Sequence, residues 1–299
     1  MSAIVLQCYN KPDTLALLLN SLMNCRGHNE FDLIVWQDNT AGNAKQKKHT
    51  KSQMATAALI ESLMPQLIQQ FRSVQYKANA LNLGCYKTCR LAIDYAFQNH
   101  DFVVFTEDDA IFAEDALVWF DGMSRTEAFQ HPACRAIAGE SVYFNTDGLE
   151  VSRRFKLEMI NGVNRTDAVS RFISFNWVPS TTFAVDRRKW AEIANVRGLD
   201  RGDVLLCELC AKEQLHCLFP VVPRVKDIGM LHVNGYSVGI HDAANVPPKN
   251  VYLLSDDVVE PYVEYRPFTG RQGPIYALTS KLLSEEGDFE SLYNLEPET

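Results

Sequence analysis

Three runs of apolar and β-branched residues, each with little polar alternation, constrain the fold of this chain most strongly. They are "AIVLQ" (3–7), "DLIVWQD" (32–38) and "DFVVFT" (101–106). Such runs are typical of strands that are buried on both faces of a sheet. The leucines between the first two runs recur at helical spacing, so strand, amphipathic helix and strand follow one another as in a parallel crossover unit. The sequence therefore predicts an α/β fold with a mixed central sheet flanked by helices.

The later patterns extend this fold. Helix is predicted within 82–100, a strand over 135–144, a loop, strand and helix over 174–190, and an apolar helical face over 200–220. Residues 39–79 contain the basic run "KQKKHTK" and a helical pattern interrupted by Pro65. We interpret the run as a solvated loop, with phosphate or membrane contact as the alternative. We expect one domain over 1–260 and a C-terminal extension over 261–299.

Composition and charge narrow the class of protein. The chain has 299 residues and a formal charge of −8, which argues against a nucleic-acid-binding protein. No segment reaches the roughly 18 consecutive apolar residues of a membrane span, and the N-terminus lacks a signal-peptide pattern. The eight cysteines are scattered through apolar patterns and are predicted to be reduced. We expect a cytoplasmic protein, with peripheral association at the inner face of the membrane left open.

Three adjacent carboxylates, Glu107, Asp108 and Asp109, follow the strand predicted at 101–106. Close carboxylates raise one another's pKa values unless a cation compensates for their charge. Oxygen ligands suit Mg²⁺ or Mn²⁺, and one or two protein carboxylates are enough when a diphosphate supplies the other ligands. The triplet therefore predicts a metal site, and the alternative is a cap on a following helix.

Polar side chains also follow the other two strands. Tyr9 and Asn10 follow the first strand, and Asp38 ends the second. Ligands of open α/β sheets bind at the carboxyl ends of the strands, so these side chains should meet the acidic triplet. Asp38 can accept from a base N–H, and Glu107 or Asp108 from a ribose hydroxyl. Near a helix start, Gly84 and Lys87 are further candidate contacts to a bound phosphate group.

The order of these segments resembles the GT-A glycosyltransferases, and more narrowly the inverting N-acetylglucosaminyltransferase I type and its bacterial, family 2-like relatives. The resemblance covers roughly residues 3–235 and is strongest over 82–120. It implies a UDP-sugar donor, a hydroxyl acceptor such as a saccharide, and Mn²⁺ or Mg²⁺ as cofactor. It implies Asp109 as the metal ligand, Asp108 as a ribose or sugar contact and Asp38 as the uracil contact. It also places Tyr9 and Asn10 in the nucleotide pocket.

The resemblance further implies a catalytic base at an acidic helix start, where "GLDRGDVLL" offers Asp203 and, as the alternative, Asp200. Where the relatives carry a tryptophan-rich segment, this chain has Gly202, Asp203 and Val204. His232 is a candidate second metal ligand. The residues assigned to the acceptor loop are Trp177, Ser180 and Thr181, and those assigned to the departing diphosphate are Arg224 and Lys226.

Two alternatives to this enzyme remain from the sequence. A nucleotidyltransferase also uses an α/β sheet and acidic metal ligands, but it usually has a glycine-rich loop after its first strand, and "CYNKPDTL" has no glycine. A non-catalytic module could bind a nucleotide-sugar or a glycan on the same fold. N-acetylglucosamine as the donor sugar is suggested by the resemblance only.

Overall fold

A computed structural model of the chain describes residues 1–140, 172–175, 178, 181–213, 215–220, 224–229 and 276–278. Its strands are β1 (Ser2–Cys8), β2 (Phe31–Gln37), β3 (Ser73–Ala78), β4 (Phe102–Glu107), β5 (Ala110–Phe112), β6 (Cys134–Ala138), β7 (Phe172–Phe175), β8 (Thr182–Asp186), β9 (His216–Pro220), β10 (Val225–Asp227) and β11 (Tyr276–Leu278). Its α-helices are α1 (Pro12–Met23), α2 (Thr50–Gln70), α3 (Cys85–Ala96), α4 (Ala116–Ser124), α5 (Glu127–Gln130), α6 (Arg187–Arg197) and α7 (Gly202–Glu213). Short 3₁₀ helices, His28–Glu30 and Ala44–His49, precede β2 and α2.

Nine of the eleven described strands form one sheet in the order β11-β7-β9-β6-β8-β4-β1-β2-β3. β1 pairs in parallel with β2 and β4, and β2 pairs in parallel with β3. β8 is antiparallel to both β4 and β6, so the sheet is mixed and β6 runs in the same direction as β4. β5 and β10 form a separate antiparallel pair. The predicted fold class, α/β with a mixed central sheet flanked by helices, is confirmed.

Both faces of the sheet are covered. Along β1, Ala3 and Val5 pack into the core beneath α3 and α6, whereas Ile4 and Leu6 pack on the opposite side with the leucines of α1. Successive side chains of a strand point to opposite faces, so an uninterrupted apolar run is what a strand between two helical layers requires. This packing leaves the carboxyl ends of the parallel strands as the place where polar groups can gather.

Three strands differ from the sequence-based expectation. β3 alternates polar and apolar residues at a partly exposed position on the sheet edge, and its pattern was not recognised. The predicted helical face over 200–220 divides into α7 and β9, because a short apolar run fits either structure until its pairing is known. β5 follows the acidic triplet at a place where no strand was predicted, and the next helix, α4, begins only at Ala116.

Part of the expected organisation lies outside the described residues. This applies to 141–144 of the strand expected over 135–144, and to most of 261–299, of which 276–278 form β11 beside β7. The division at residue 260 therefore stays a prediction. Across the described ranges, no helix combines the length and the apolar character needed to cross a bilayer.

Candidate active site

The carboxyl ends of β1, β2 and β4 come together, as predicted. In register, Gln7 of β1 lies opposite Glu107 of β4, and Cys8 lies opposite Gln37 of β2. The next residues therefore meet at one edge of the sheet. The Tyr9 backbone N–H donates to Asp108 Oδ2 at 2.8 Å, which joins the first loop directly to the acidic triplet.

The acidic triplet does not cap a helix. Glu107 ends β4, Asp108 and Asp109 form the turn into β5, and the next helix starts at Ala116. The helix-cap alternative is therefore wrong. Asp108 and Asp109 are buried, with exposed fractions of 5% and 6%. The Oδ1 atom of Asp109 is buried without a hydrogen-bond partner among the described residues.

Two further carboxylates that the sequence analysis missed join the triplet. Asp227 pairs with Ala110 across β10 and β5, and Glu140 follows β6, whose carboxyl end lies at the same edge as that of β4. Burial raises the pKa of Glu140 and of Asp227, and the charge of Asp109 raises both further. We define the acidic cluster as these five residues: Glu107, Asp108, Asp109, Glu140 and Asp227.

Two carboxyl groups of the triplet, those of Glu107 and Asp108, have raised pKa values. Burial raises the pKa of Glu107, and the charge of Asp109 adds to the increase. Burial also raises the pKa of Asp108, although the Lys11 ammonium opposes the shift. Shifts of this direction mean that the buried carboxylates lack enough positive charge around them. The chemistry of the site therefore favours an added cation.

Lys11, which the sequence analysis also missed, is a cation that contacts the cluster directly, and the buried Arg197 also acts on Glu107 through its charge. The Nζ of Lys11 pairs with Asp109 Oδ2 and lies 3.5 Å from Asp108 Oδ1. Burial acts to lower the pKa of Lys11, but the charges of Asp108 and Asp109 outweigh it and raise that pKa. The signal that could have identified Lys11 is its position directly after Tyr9 and Asn10 in the first loop.

The donor set fits a divalent metal in its chemistry. Carboxylate oxygens suit Mg²⁺ and Mn²⁺, and the unpartnered Asp109 Oδ1 is one such oxygen. Over the described ranges, no three side chains of His, Cys, Asp or Glu converge as a complete metal site. A metal held by Asp109 would therefore take other ligands from a bound diphosphate or from water.

Asp38 organises the loop that leads into α3. Its Oδ1 accepts from Asn79 Nδ2 at 2.8 Å and from the Leu83 N–H at 3.0 Å. Its Oδ2 accepts from Asn82 Nδ2 and from the Gly84 N–H, both at 2.9 Å. The carboxylate thus has four protein donors, and the predicted contact to a base N–H would exchange with one of them. That contact stays a prediction.

The other residues predicted for the nucleotide lie around this edge. Asn10 is buried, and Tyr9 donates through its hydroxyl to Gln46 Oε1 at 3.1 Å. Gly84 has a φ of 79°, which favours glycine, and it immediately precedes α3. Lys87 is exposed on α3.

Asp203 and Asp200 differ clearly in their surroundings. Asp203 lies in the first turn of α7, and its Oδ1 accepts from the Tyr86 hydroxyl at 2.8 Å. Cys85, the residue before Tyr86 in α3, donates through its thiol to Glu107 Oε1 at 3.1 Å. The first two residues of α3 thus contact the acidic cluster and Asp203 in turn. Asp200 is exposed in the loop before α7.

One prediction about the diphosphate is wrong. Arg224 is fully buried, its Nε lies 3.1 Å from Asp115 Oδ2, and its guanidinium packs 5.2 Å from the Trp119 ring centre. Asp115 is also fully buried, so the arginine neutralises a carboxylate in the core instead of facing the site. A sequence pattern of Pro, Arg, Val and Lys gives no indication of that distant partner.

Several of the remaining predictions concern residues outside the ranges that the structure describes. The residues concerned are His232, Trp177 and Ser180, together with the side chain of Lys226. Thr181 is described, and its hydroxyl donates to Glu140 Oε1. The predicted acceptor loop therefore ends against the acidic cluster.

Comparison with known proteins gives remote structural matches. No protein-family model matches the chain, and a search of curated proteins finds no match. Solved structures of TarS from Staphylococcus aureus are similar to part of it. Its residues 1–349 in complex with UDP match 47% of this chain and 35% of that chain, at 17% identity and a TM-score of 0.33.

Two other TarS structures give similar values. The complex with UDP-GlcNAc matches 47% of this chain and 34% of that chain, at 18% identity and a TM-score of 0.33. A further structure of residues 1–349 matches 88% of this chain and 67% of that chain, at 13% identity and a TM-score of 0.40. The chain spans about a third of the length of the two complexes, and these values do not assign it to a family.

Proposed function

We propose that this chain is a glycosyltransferase that moves a sugar from a UDP-sugar to a hydroxyl of a saccharide or other acceptor. The observation that supports it best is the acidic cluster at the carboxyl ends of β4 and β6, beside the first loop. The cluster has three buried carboxylates, Asp108, Asp109 and Glu140, and two partly buried ones, Glu107 and Asp227. With Lys11 in contact with Asp108 and Asp109, this arrangement suits a site that receives a metal-bound diphosphate.

The assignments at the donor follow the family resemblance and agree with the chemistry of the side chains. Asp109 holds Mn²⁺ or Mg²⁺, which supplies charge neutralisation for the diphosphate leaving group when it is bound. Asp108 accepts from a ribose or sugar hydroxyl, and Tyr9 and Asn10 line the nucleotide pocket. UDP-N-acetylglucosamine is the first donor to test, because the sequence resembles the N-acetylglucosaminyltransferase I type.

The acceptor's proton is assigned to Asp203. In an inverting transfer the acceptor oxygen attacks the anomeric carbon as the bond to the diphosphate breaks, so a carboxylate must take the hydroxyl proton. Tyr86 donates to Asp203 Oδ1 and so orients the carboxylate, and Oδ2 takes the proton. Asp200 remains the alternative base.

A matched pair of variants tests this assignment. Asp203→Asn keeps an oxygen for the Tyr86 hydroxyl but removes the base, and it should lower kcat by about 10²- to 10⁴-fold. Asp200→Asn makes the same chemical change three residues earlier at an exposed position, and kcat should remain within about twofold of the wild type. UDP affinity should be unchanged in both variants.

The outcomes separate the candidate functions. Turnover lost only in Asp200→Asn would transfer the role of base to Asp200. A protein that binds UDP but transfers no sugar, whatever the variant, would be the non-catalytic module. Release of diphosphate from a nucleoside triphosphate would instead indicate the nucleotidyltransferase. We also propose a cytoplasmic location, with peripheral association at the inner face of the membrane.

A further inference from the structure

Lys11 lies where an added cation would have to bind. Its Nζ contacts Asp109 Oδ2 and lies 3.5 Å from Asp108 Oδ1, and both carboxylates belong to the acidic cluster. The Lys11 side chain is only 14% exposed. A partly buried ammonium between two carboxylates interacts with them more strongly than an exposed one would, because water screens it less.

The backbone fixes this lysine at the site. The Lys11 carbonyl accepts from the Leu15 N–H at 3.1 Å and from the Thr14 hydroxyl at 3.3 Å, at the start of α1. One residue earlier, Asn10 is buried in the same loop. The ammonium can therefore move by rotation of its side chain, but it remains tethered at the end of β1.

A metal on Asp109 and the ammonium in this position would compete for the same carboxylate. One oxygen of Asp109, Oδ2, is already paired with Lys11 Nζ, and the other, Oδ1, is buried. Gly229 packs against the same carboxylate at Oδ2, since a Cβ at that residue would overlap this oxygen and lie 2.6 Å from Asp109 Cγ. Two cations on one small carboxylate repel each other strongly at contact distance.

We propose that Lys11 is a tethered cation that holds the acidic cluster in the free protein and competes with divalent metal for Asp108 and Asp109. This inference rests on the proposed function for its second half: a bound diphosphate offers the displaced ammonium a new anionic partner. Lysine ammonium groups are common phosphate ligands, so the exchange keeps Lys11 paired in both states. Metal and nucleotide should then bind cooperatively.

The test measures Mn²⁺ affinity without nucleotide, by calorimetry or by the electron paramagnetic resonance signal of free Mn²⁺. Lys11→Met removes the competing charge and should bind Mn²⁺ about 10- to 100-fold more tightly than the wild type. Lys11→Arg keeps the charge and should remain close to the wild type. The matched control is Lys212→Met, an exposed lysine in the last turn of α7, which should leave the affinity unchanged.

A second measurement repeats the titration with UDP present. UDP should increase the Mn²⁺ affinity of the wild type more than that of Lys11→Met, in which no ammonium has to be displaced. Lys11→Gln replaces Lys11→Met if the latter does not fold without metal. Its amide can still donate to the cluster without carrying a charge, and the same increase is expected.

Equal or weaker Mn²⁺ binding by both uncharged variants would overturn the inference and make Lys11 a structural ion-pair partner. Absence of Mn²⁺ binding in every variant would overturn it as well. A Mn²⁺ affinity that rises in Lys11→Met while UDP binds to no variant would support the competition and contradict the proposed donor site. The two proposals can therefore fail separately.

Discussion

Asp38→Asn should destabilise the protein even in the absence of any nucleotide. The carboxylate accepts four hydrogen bonds from the loop before α3, two at each oxygen. Asparagine replaces one oxygen with an NH₂ group, which leaves two donors facing a donor. An unsatisfied buried donor costs about 1–3 kcal/mol, and at least one donor of each pair is only partly buried, so the free energy of unfolding should fall by an amount at the lower end of about 2–6 kcal/mol.

A loss of this size is a large part of the roughly 5–15 kcal/mol by which a domain is stable, and urea titration followed by circular dichroism would resolve it. Asp101→Asn is the matched control, because this aspartate is exposed and pairs only at the surface. Its effect should remain within about 1 kcal/mol. Unchanged stability in Asp38→Asn together with lost UDP binding would refute the account of Asp38 as the anchor of this loop.

Three further changes follow from buried contacts. Asp115→Asn removes the carboxylate that pairs with the buried Arg224 guanidinium, so the free energy of unfolding should fall by about 3–5 kcal/mol. Adding Arg224→Met to this variant should restore most of the loss. Gly229→Ala would place a Cβ against the Asp109 carboxylate. The affinity for UDP in the presence of Mn²⁺ should therefore fall at least about tenfold in a variant that still folds. An unchanged affinity would argue against this contact. Burial lowers the pKa of His216 from 6.5 to about 4 in the folded protein, so the unfolded chain takes up a proton first as the pH falls. Stability should therefore decrease between about pH 6.5 and pH 4, by up to roughly 3 kcal/mol, and His216→Gln should flatten that part of the profile.

The sequence predicts the parallel half of the fold well, because the evidence for it is local. Each of β1, β2 and β4 is an uninterrupted apolar run, and the polar residue that follows it lies at the sheet edge wherever the strand pairs. Asp38, Asp108 and Asp109 could therefore be placed together without knowing the register. The same reasoning shows why β3 was missed, since an edge strand with one exposed face has no such run.

The rest of the site depends on pairing that no local pattern reveals. Glu140 joins the acidic cluster because β8 is inserted antiparallel between β4 and β6, which turns the end of β6 toward the same edge. Asp227 joins it because β10 pairs with β5. Arg224 was assigned to the diphosphate from a resemblance of its segment, and its actual partner, Asp115, lies more than a hundred residues earlier in the chain, where no local pattern reveals it. Partners that are distant in the sequence determine whether a charged residue lies in the candidate site or is buried in the core.

The central claim is that the acidic cluster binds a nucleotide diphosphate together with a metal through Asp109. Calorimetric titration of UDP into the wild type, first with Mn²⁺ and then with EDTA, tests it most directly when repeated on Asp109→Asn and on the surface control Asp101→Asn. The account predicts binding that is present with Mn²⁺, weakened at least about a hundredfold by EDTA or by Asp109→Asn, and unchanged in the control. UDP binding that is equally tight in EDTA and in Asp109→Asn would contradict the claim.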